Sequence, residues 1–192
     1  MAMPGNRRAA KYDTGRAVLE YLREPIYDRK QLAAGTAQSV TFFKTFLGGT
    51  LRDTNMTSDG SLAAPHTFDA FGVSIFVQQG TAVADLERLM NEAYFEFKLS
   101  SKPYLRTMYH MIPAAAGLTG VAATTVTATT ILELQNGIGS PLVYLPLDLE
   151  GEPLHIPSQQ DFQATLTTVN TVAFTATIDL WCYLHGILGR PA

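Results

Sequence analysis

Four histidines, His66, His110, His155 and His185, are the side chains best suited to metal ligation or proton transfer near neutral pH. No two stand at i, i+2 or i, i+4, so neither a strand face nor a helix face presents a ligand pair. The cupin enzymes place a His-x-His pair ahead of a Glu and a later His, and that order does not occur here. A serine nucleophile on a strained elbow would need Gly-x-Ser-x-Gly, which is also missing. Gly117-Leu118-Thr119-Gly120 begins like a phosphate loop, but no Gly-Lys-Ser/Thr follows, and it reads as a flexible connector. Glu150 and Glu152 flank Gly151 as an acid–base pair would, yet two acids around a glycine are more simply a solvated turn. Cys182 is the single cysteine, which excludes a disulfide within the chain and a multi-cysteine zinc site. It falls on the apolar side of an alternating run, which predicts a buried, reduced thiol. Asn55-Met56-Thr57 fits a glycosylation pattern and, with no export signal expected, reads as a turn. These residues predict no catalytic centre, no metal site, no cofactor and no small-molecule substrate.

Charge is scarce, 16% of the 192 residues, against about 25% in ordinary soluble domains. It is also unevenly placed. Residues 1–30 hold seven basic and four acidic side chains, net +3, while the other 162 carry net −6. The asymmetry predicts a basic N-terminal arm, residues 1–36, ahead of a body spanning 37–192. Within the arm, 14–23 reads as a short helix capped by Asp13 or Thr14 and stopped ahead of Pro25, with Val18, Tyr21 and Leu22 on one face. About ten residues do not hold a helix alone in water. The arm therefore has to dock on its own body, on a neighbouring subunit, on an inner membrane or on a genome. Arg7, Arg8, Lys11 and Arg16 are its candidate contacts, and a handful of phosphate contacts gives weak, salt-sensitive, sequence-blind binding. No apolar run reaches the roughly 18 residues of a membrane helix. The opening MAMPGNRRAAKYDTGR has no apolar signal core.

The body reads as strands. Residues 40–47 alternate, and so do 71–77, 95–99, 104–109 and 162–167, with turn residues between them. One helix interrupts, with Thr81 as its cap, Val83, Leu86, Met90 and Ala93 facing inward, and Asp85, Glu87 and Arg88 on the wet side. Ser100 to Pro103 reads as a hairpin turn, Ala114 to Gly120 as a loop, and Val121 to Leu134 as a Thr-rich strand. Asn136-Gly137 is a turn signal, and Leu142 to Leu147 a short strand ahead of an acidic turn. The clearest run is the last: Val172, Phe174, Ala176, Ile178, Leu180, Cys182 and Leu184 share one face, and Asp179, Trp181 and Tyr183 lie on the other. A half-buried antiparallel strand of that length spans roughly 46 Å. With no βαβ repeat, the class is an all-β antiparallel sandwich with one inserted short helix, a single jelly roll being the expected form and an immunoglobulin-like sandwich the alternative.

One order of motifs carries a family likeness. Phe42-Phe43 leads to Asp53-Thr54-Asn55-Met56, then to the apolar strand 71–77. Phe95-Glu96-Phe97-Lys98 runs through Lys102-Pro103-Tyr104-Leu105 to Ile112-Pro113. Ile156-Pro157-Ser158-Gln159-Gln160-Asp161-Phe162 and Leu184-His185-Gly186-Ile187-Leu188-Gly189-Arg190-Pro191 close it. Over roughly residues 40–191 the chain resembles the jelly-roll capsid proteins of tailless icosahedral bacteriophages and their environmental relatives. The resemblance implies a virion subunit assembled in the host cytoplasm. Its partners would be copies of itself or a second, cooperating coat protein; the arm is not covered by the likeness. Two rivals stay open: a carbohydrate- or ligand-binding sandwich, for which Trp181, Tyr183, Tyr104 and Tyr109 would supply stacking faces, and a cupin-like metal enzyme.

Overall fold

The computed structural model describes residues 19–44, 46, 49–78, 80–113, 118–126, 129–136, 144–147 and 151–191. Among the described residues there are twelve strands: β1 (Leu19–Leu22), β2 (Ile26–Leu32), β3 (Gln38–Phe42), β4 (Thr67–Val77), β5 (Ala93–Leu99), β6 (Lys102–Met108), β7 (Leu118–Val126), β8 (Thr129–Asn136), β9 (Leu145–Pro146), β10 (Leu154–Ile156), β11 (Phe162–Thr168) and β12 (Ile178–Pro191). Helix α1 (Val83–Glu92) joins β4 to β5, and Tyr109–Met111 form a single 3-10 turn.

Two antiparallel sheets form a sandwich-like body. In the six-stranded sheet β12 and β4 lie side by side at the centre. β2 and β1 share the far edge of β12 end to end, on Ile178–Leu184 and Leu188–Pro191. β10 and β9 likewise share the far edge of β4. The second sheet has the order β3-β11-β5-β6, and β7 and β8 make a two-stranded ribbon of their own. Period-two burial is the cause of the layering: β5 and β11 each bury every second residue, so one face of each strand must find a partner layer. Phe42, Phe43, Phe68, Phe95, Phe97 and Phe162 fill the space between the sheets, all fully buried.

Several expectations change. The helix expected over 14–23 does not form in its second half, because Leu19–Leu22 is a strand on the C-terminal end of β12. Its first half lies outside the described residues. Residues 19–32, expected to lie in the arm, thus supply two strands of the larger sheet. The long last strand starts at Ile178 instead of Val172 and runs on to Pro191. Val172 is 57% exposed, and the stretch before Ile178 crosses between layers with Phe174 alone buried. The single strand expected over 121–134 is the β7–β8 hairpin, and residues 118–120, expected as loop, belong to β7. The turn expected at Gly137 lies outside the described residues.

Helix α1 keeps Leu86 against the core, and Ala93 at its end is buried as expected, but the rest of its inward face differs. Asp85 and Leu89 are its buried residues, while Met90 is exposed. Asp85 is drawn in because its carboxylate accepts the Thr175 N–H at 3.0 and 3.1 Å and the Thr175 hydroxyl, and pairs with Arg88 at 2.6 Å. Thr81 does not cap the helix; its hydroxyl donates to the Gln78 carbonyl at 2.9 Å, and Ala82 stands at the N-cap.

Candidate assembly surface

Of the arm residues singled out above, Arg7, Arg8, Lys11, Arg16 and Val18 lie outside the described residues. Tyr21 and Leu22 are consecutive in β1, so they point to opposite faces instead of sharing a helical one. Tyr21 is 40% exposed and sits opposite Gly189.

The outer edge of β2 is closed by a turn. The Tyr27 N–H donates to Asn55 Oδ1 at 3.0 Å, the Thr54 hydroxyl to the Tyr27 carbonyl at 2.8 Å, and the Arg29 N–H to the Asp53 carbonyl at 2.8 Å. Asn55 Nδ2 also donates to the Pro25 carbonyl at 2.8 Å. Asp53-Thr54-Asn55 thus stands in for a neighbouring strand and removes an exposed pairing edge. The polar Asn55 of the glycosylation-like pattern is used as backbone cover.

This turn frames an aromatic face on the outside of the larger sheet. Alternation puts Tyr27 and Arg29 of β2, Asp179, Trp181, Tyr183 and His185 of β12, and Ser74 and Phe76 of β4 on that side. The Arg29 guanidinium bridges Asp53 Oδ1 at 2.8 Å and Asp179 Oδ2 at 2.6 Å, and its Cζ lies 5.4 Å from the centre of the Trp181 ring. Trp181 packs at 5.6 Å on Phe76 and donates its indole N–H to the Arg52 carbonyl at 3.1 Å. Tyr27 and Tyr183 are 5.7 Å apart, Tyr183 and His185 6.3 Å, and His185 and Tyr144 5.3 Å, the last pair stacked. The rings therefore lie on one face as two groups, the Phe76–Trp181 pair and the run Tyr27–Tyr183–His185–Tyr144, which together make an aromatic ladder along β12.

The Arg29 guanidinium is shared by two carboxylates, Asp53 and Asp179, so the three side chains together carry one net negative charge. The Thr50 hydroxyl and the Arg29 guanidinium hold the Asp53 carboxyl below the usual carboxylate range. Burial pushes His185 below its ordinary value, so the ring is neutral at pH 7. His185 Nε2 and Ser74 Oγ lie 2.7 Å apart, but Ser74 is wholly buried. The pair orients the imidazole under Tyr144 and gives no substrate access to the hydroxyl.

The histidines stay apart. His155 Nδ1 meets Asp69 Oδ1 at 2.8 Å, and His110 Nδ1 lies 3.1 Å from the Met90 carbonyl. Among the described residues no group of three or more His, Cys, Asp or Glu is placed to hold a metal ion. Cys182 is free and fully buried, as expected. Of the four aromatics considered for stacking on sugars, Trp181 and Tyr183 share the outer face, Tyr104 lies exposed on β6 of the other sheet, and Tyr109 is buried.

The sequence reading missed Arg29, Asp53 and Tyr27 as parts of this face. The signal in β2 was masked, because its inward positions include Asp28 and Lys30, so the strand does not read as amphipathic. Among the described residues no helix is long and apolar enough to cross a membrane. A scan against protein-family models and searches of curated proteins and of solved structures found no match to the chain.

Proposed function

We propose that the chain is a capsid subunit that assembles through a jelly-roll sandwich into an icosahedral shell and resides in the virion. The observation that carries the reading is the nesting of strand pairs. β2 pairs with β12, β3 with β11, β4 with β9 and β10, and β5 with β6. Counting β1 with β2 and β9 with β10, the pairs alternate between the two layers, a nesting that supports the jelly-roll reading.

The aromatic ladder supports tiling. Arg29 pairs with both Asp53 and Asp179, so a neighbour that covers them buries one net negative charge instead of three separate ones. Half-buried rings offer the kind of area that recurs at interface cores. Arg7, Arg8, Lys11 and Arg16 remain the proposed contacts of the N-terminal segment to neighbours or the particle interior. Copies of the chain, or a second coat protein, are the proposed partners.

Light scattering coupled to size-exclusion chromatography, followed by electron microscopy, tests the reading: oligomers or particles are expected, and a strict monomer at high concentration overturns it. Deleting residues 1–18, which leaves β1 and β2 in place, tests the N-terminal contacts. A second reading, a glycan-binding module, is favoured by the shared face of Trp181 and Tyr183. Hits on a glycan array from a monomeric protein would select it.

A further inference from the structure

The aromatic ladder on the larger sheet is a face still partly open. Its rings are half-buried, and Leu51, whose carbonyl accepts the Tyr27 hydroxyl, is 79% exposed at the rim. The face is also short of positive charge. Arg29 serves both Asp53 and Asp179, and among the described residues nothing donates to the buried Asp179 Oδ1. Arg52 beside Asp53 and Glu24 beside Tyr27 add one charge of each sign, so two basic and three acidic side chains leave a net −1. Rings set among carboxylates suit a partner that brings cations. A guanidinium or ammonium gains from the π-faces and from the acids together.

The eighteen residues ahead of β1 have the complementary composition. They hold Arg7, Arg8, Lys11 and Arg16 against Asp13, net +3, with Tyr12 among them. The point where they join the sheet decides which ladder they meet. Leu19 stands opposite Pro191 and Leu22 opposite Leu188, in antiparallel register. Followed toward the N-terminus, β1 therefore points past the C-terminal end of β12. Trp181 lies ten residues the other way from Pro191, about 33 Å along the strand. The chain's own ladder is thus behind the exit from β1, and a copy placed beyond Pro191 is ahead of it. Eighteen extended residues span up to about 60 Å, enough to cross a subunit boundary and lie along a ladder.

We propose that residues 1–18 of one copy dock on the aromatic ladder of a neighbouring copy, setting their cations on the Trp181 and Tyr183 rings and against the Asp53 and Asp179 carboxylates. The inference rests on the reading of the chain as an assembling subunit, and adds to it the place on the neighbour that the N-terminal segment binds. Segment and ladder are different surfaces, so the contact is heterologous and passes from copy to copy around a ring. Charges near the surface are screened by salt, so the contact weakens as ionic strength rises.

The test uses the full chain with Tyr12→p-benzoylphenylalanine, a photo-activated cross-linker, as an equal mixture of light and isotope-labelled protein free of nucleic acid. Peptide mass spectrometry locates each link, and the isotope pairing shows whether it joins one copy or two. Links between copies are expected at the ladder or its rim, residues 27–29, 51–53 or 179–185. Adding Arg7→Glu and Arg8→Glu is expected to lower their yield about tenfold below saturation. Both changes lie ahead of β1, and circular dichroism checks the fold. Links confined to one copy overturn the proposal. So do links that fall elsewhere, oligomers without links, or a yield indifferent to the two glutamates; in each of these cases oligomers seen by light scattering leave the subunit reading standing. A monomer at every concentration overturns both.

Discussion

The buried carboxylate of Asp28 accepts the amide N–H of Phe43 at 2.6 Å, and so β2 of one sheet holds the chain just past β3 of the other. Phe42 and Phe43 are consecutive, yet both rings are fully buried. A regular strand would send them to opposite faces. Phe43 instead takes φ 68°, which turns its ring back into the core, 5.5 Å from Phe162. Left-handed backbone at a bulky residue costs energy. The Asp28 bond, with Lys30 Nζ 3.1 Å from the same oxygen and 2.8 Å from the Lys44 carbonyl, offsets it.

Asp28 also makes stability depend on pH. Burial is the largest influence on its carboxyl and raises its pKa above the ordinary value; the Phe43 amide and Lys30 pull the other way without prevailing. A carboxyl raised in the fold contributes stability that is fully present below the unfolded value and is lost as pH rises through the folded one. Asp28→Asn keeps an acceptor for Phe43 and removes the titration. The wild type should therefore lose stability relative to Asp28→Asn as pH is raised from about 4 toward neutrality. Asp53 and Glu96, both lowered, act in the opposite sense in both proteins and cancel in the difference. Urea midpoints at a series of pH values measure this, and parallel profiles would contradict it.

Asp85 ties helix α1 to the segment leading into β12. Replacing it with alanine leaves the Thr175 amide and hydroxyl without their acceptor and Arg88 with the Ala173 carbonyl but no carboxylate, at a cost of about 3 kcal/mol. Asp85→Asn, which keeps one acceptor oxygen, should cost less. Chemical denaturation ranks the two, and equal losses would show that the charge alone matters.

Gly72 is the floor beneath Tyr144. A Cβ there would come 2.0 Å from Tyr144 Cδ2 and 2.6 Å from the Leu145 carbonyl oxygen. Gly72→Ala must displace β9 as well as the ring, because part of the obstacle is backbone. Destabilisation of about 3 kcal/mol is expected. Hydrogen exchange at the amides of Tyr144, Leu145 and Leu147 should rise with it, and an unchanged exchange pattern would mean that the sheet edge yields more easily.

The Cys182 thiol is pushed well above its ordinary pKa, first by burial and then by Asp28. A thiol-reactive chromogen should label it only as fast as the protein unfolds, and in full once urea unfolds it. Rapid labelling of the folded chain would show that the two sheets part locally.

Strand-forming segments were legible because a buried face forces a period of two, and β5 and β11 carry that period without interruption. The short segment 19–22 was not, since spacings of three and four fit Val18, Tyr21 and Leu22 as well as strand pairing does. Nor was the start of the last strand, because Thr and Ala alternate with apolar residues through 171–177 just as they do beyond 178. Alternation says which side chains agree on a face; it does not say where the hydrogen-bonding neighbours end. Here β2 and β4 pair with β12 only from residues 178 and 180 onward.

From residue types alone came the all-β class, the buried thiol, the inserted helix and the lack of any recognisable catalytic motif. These follow from local periodicity and composition, which act within a few residues. The inward turn of Asp85, the use of Asp28 to hold Phe43, the closing of β2 by Asp53-Thr54-Asn55 and the ladder from Trp181 to Tyr144 depend on partners 15 to 90 residues away in the chain or more. A polar side chain is indifferent to which distant amide satisfies it, and only the packing of the two sheets brought these groups within bonding distance.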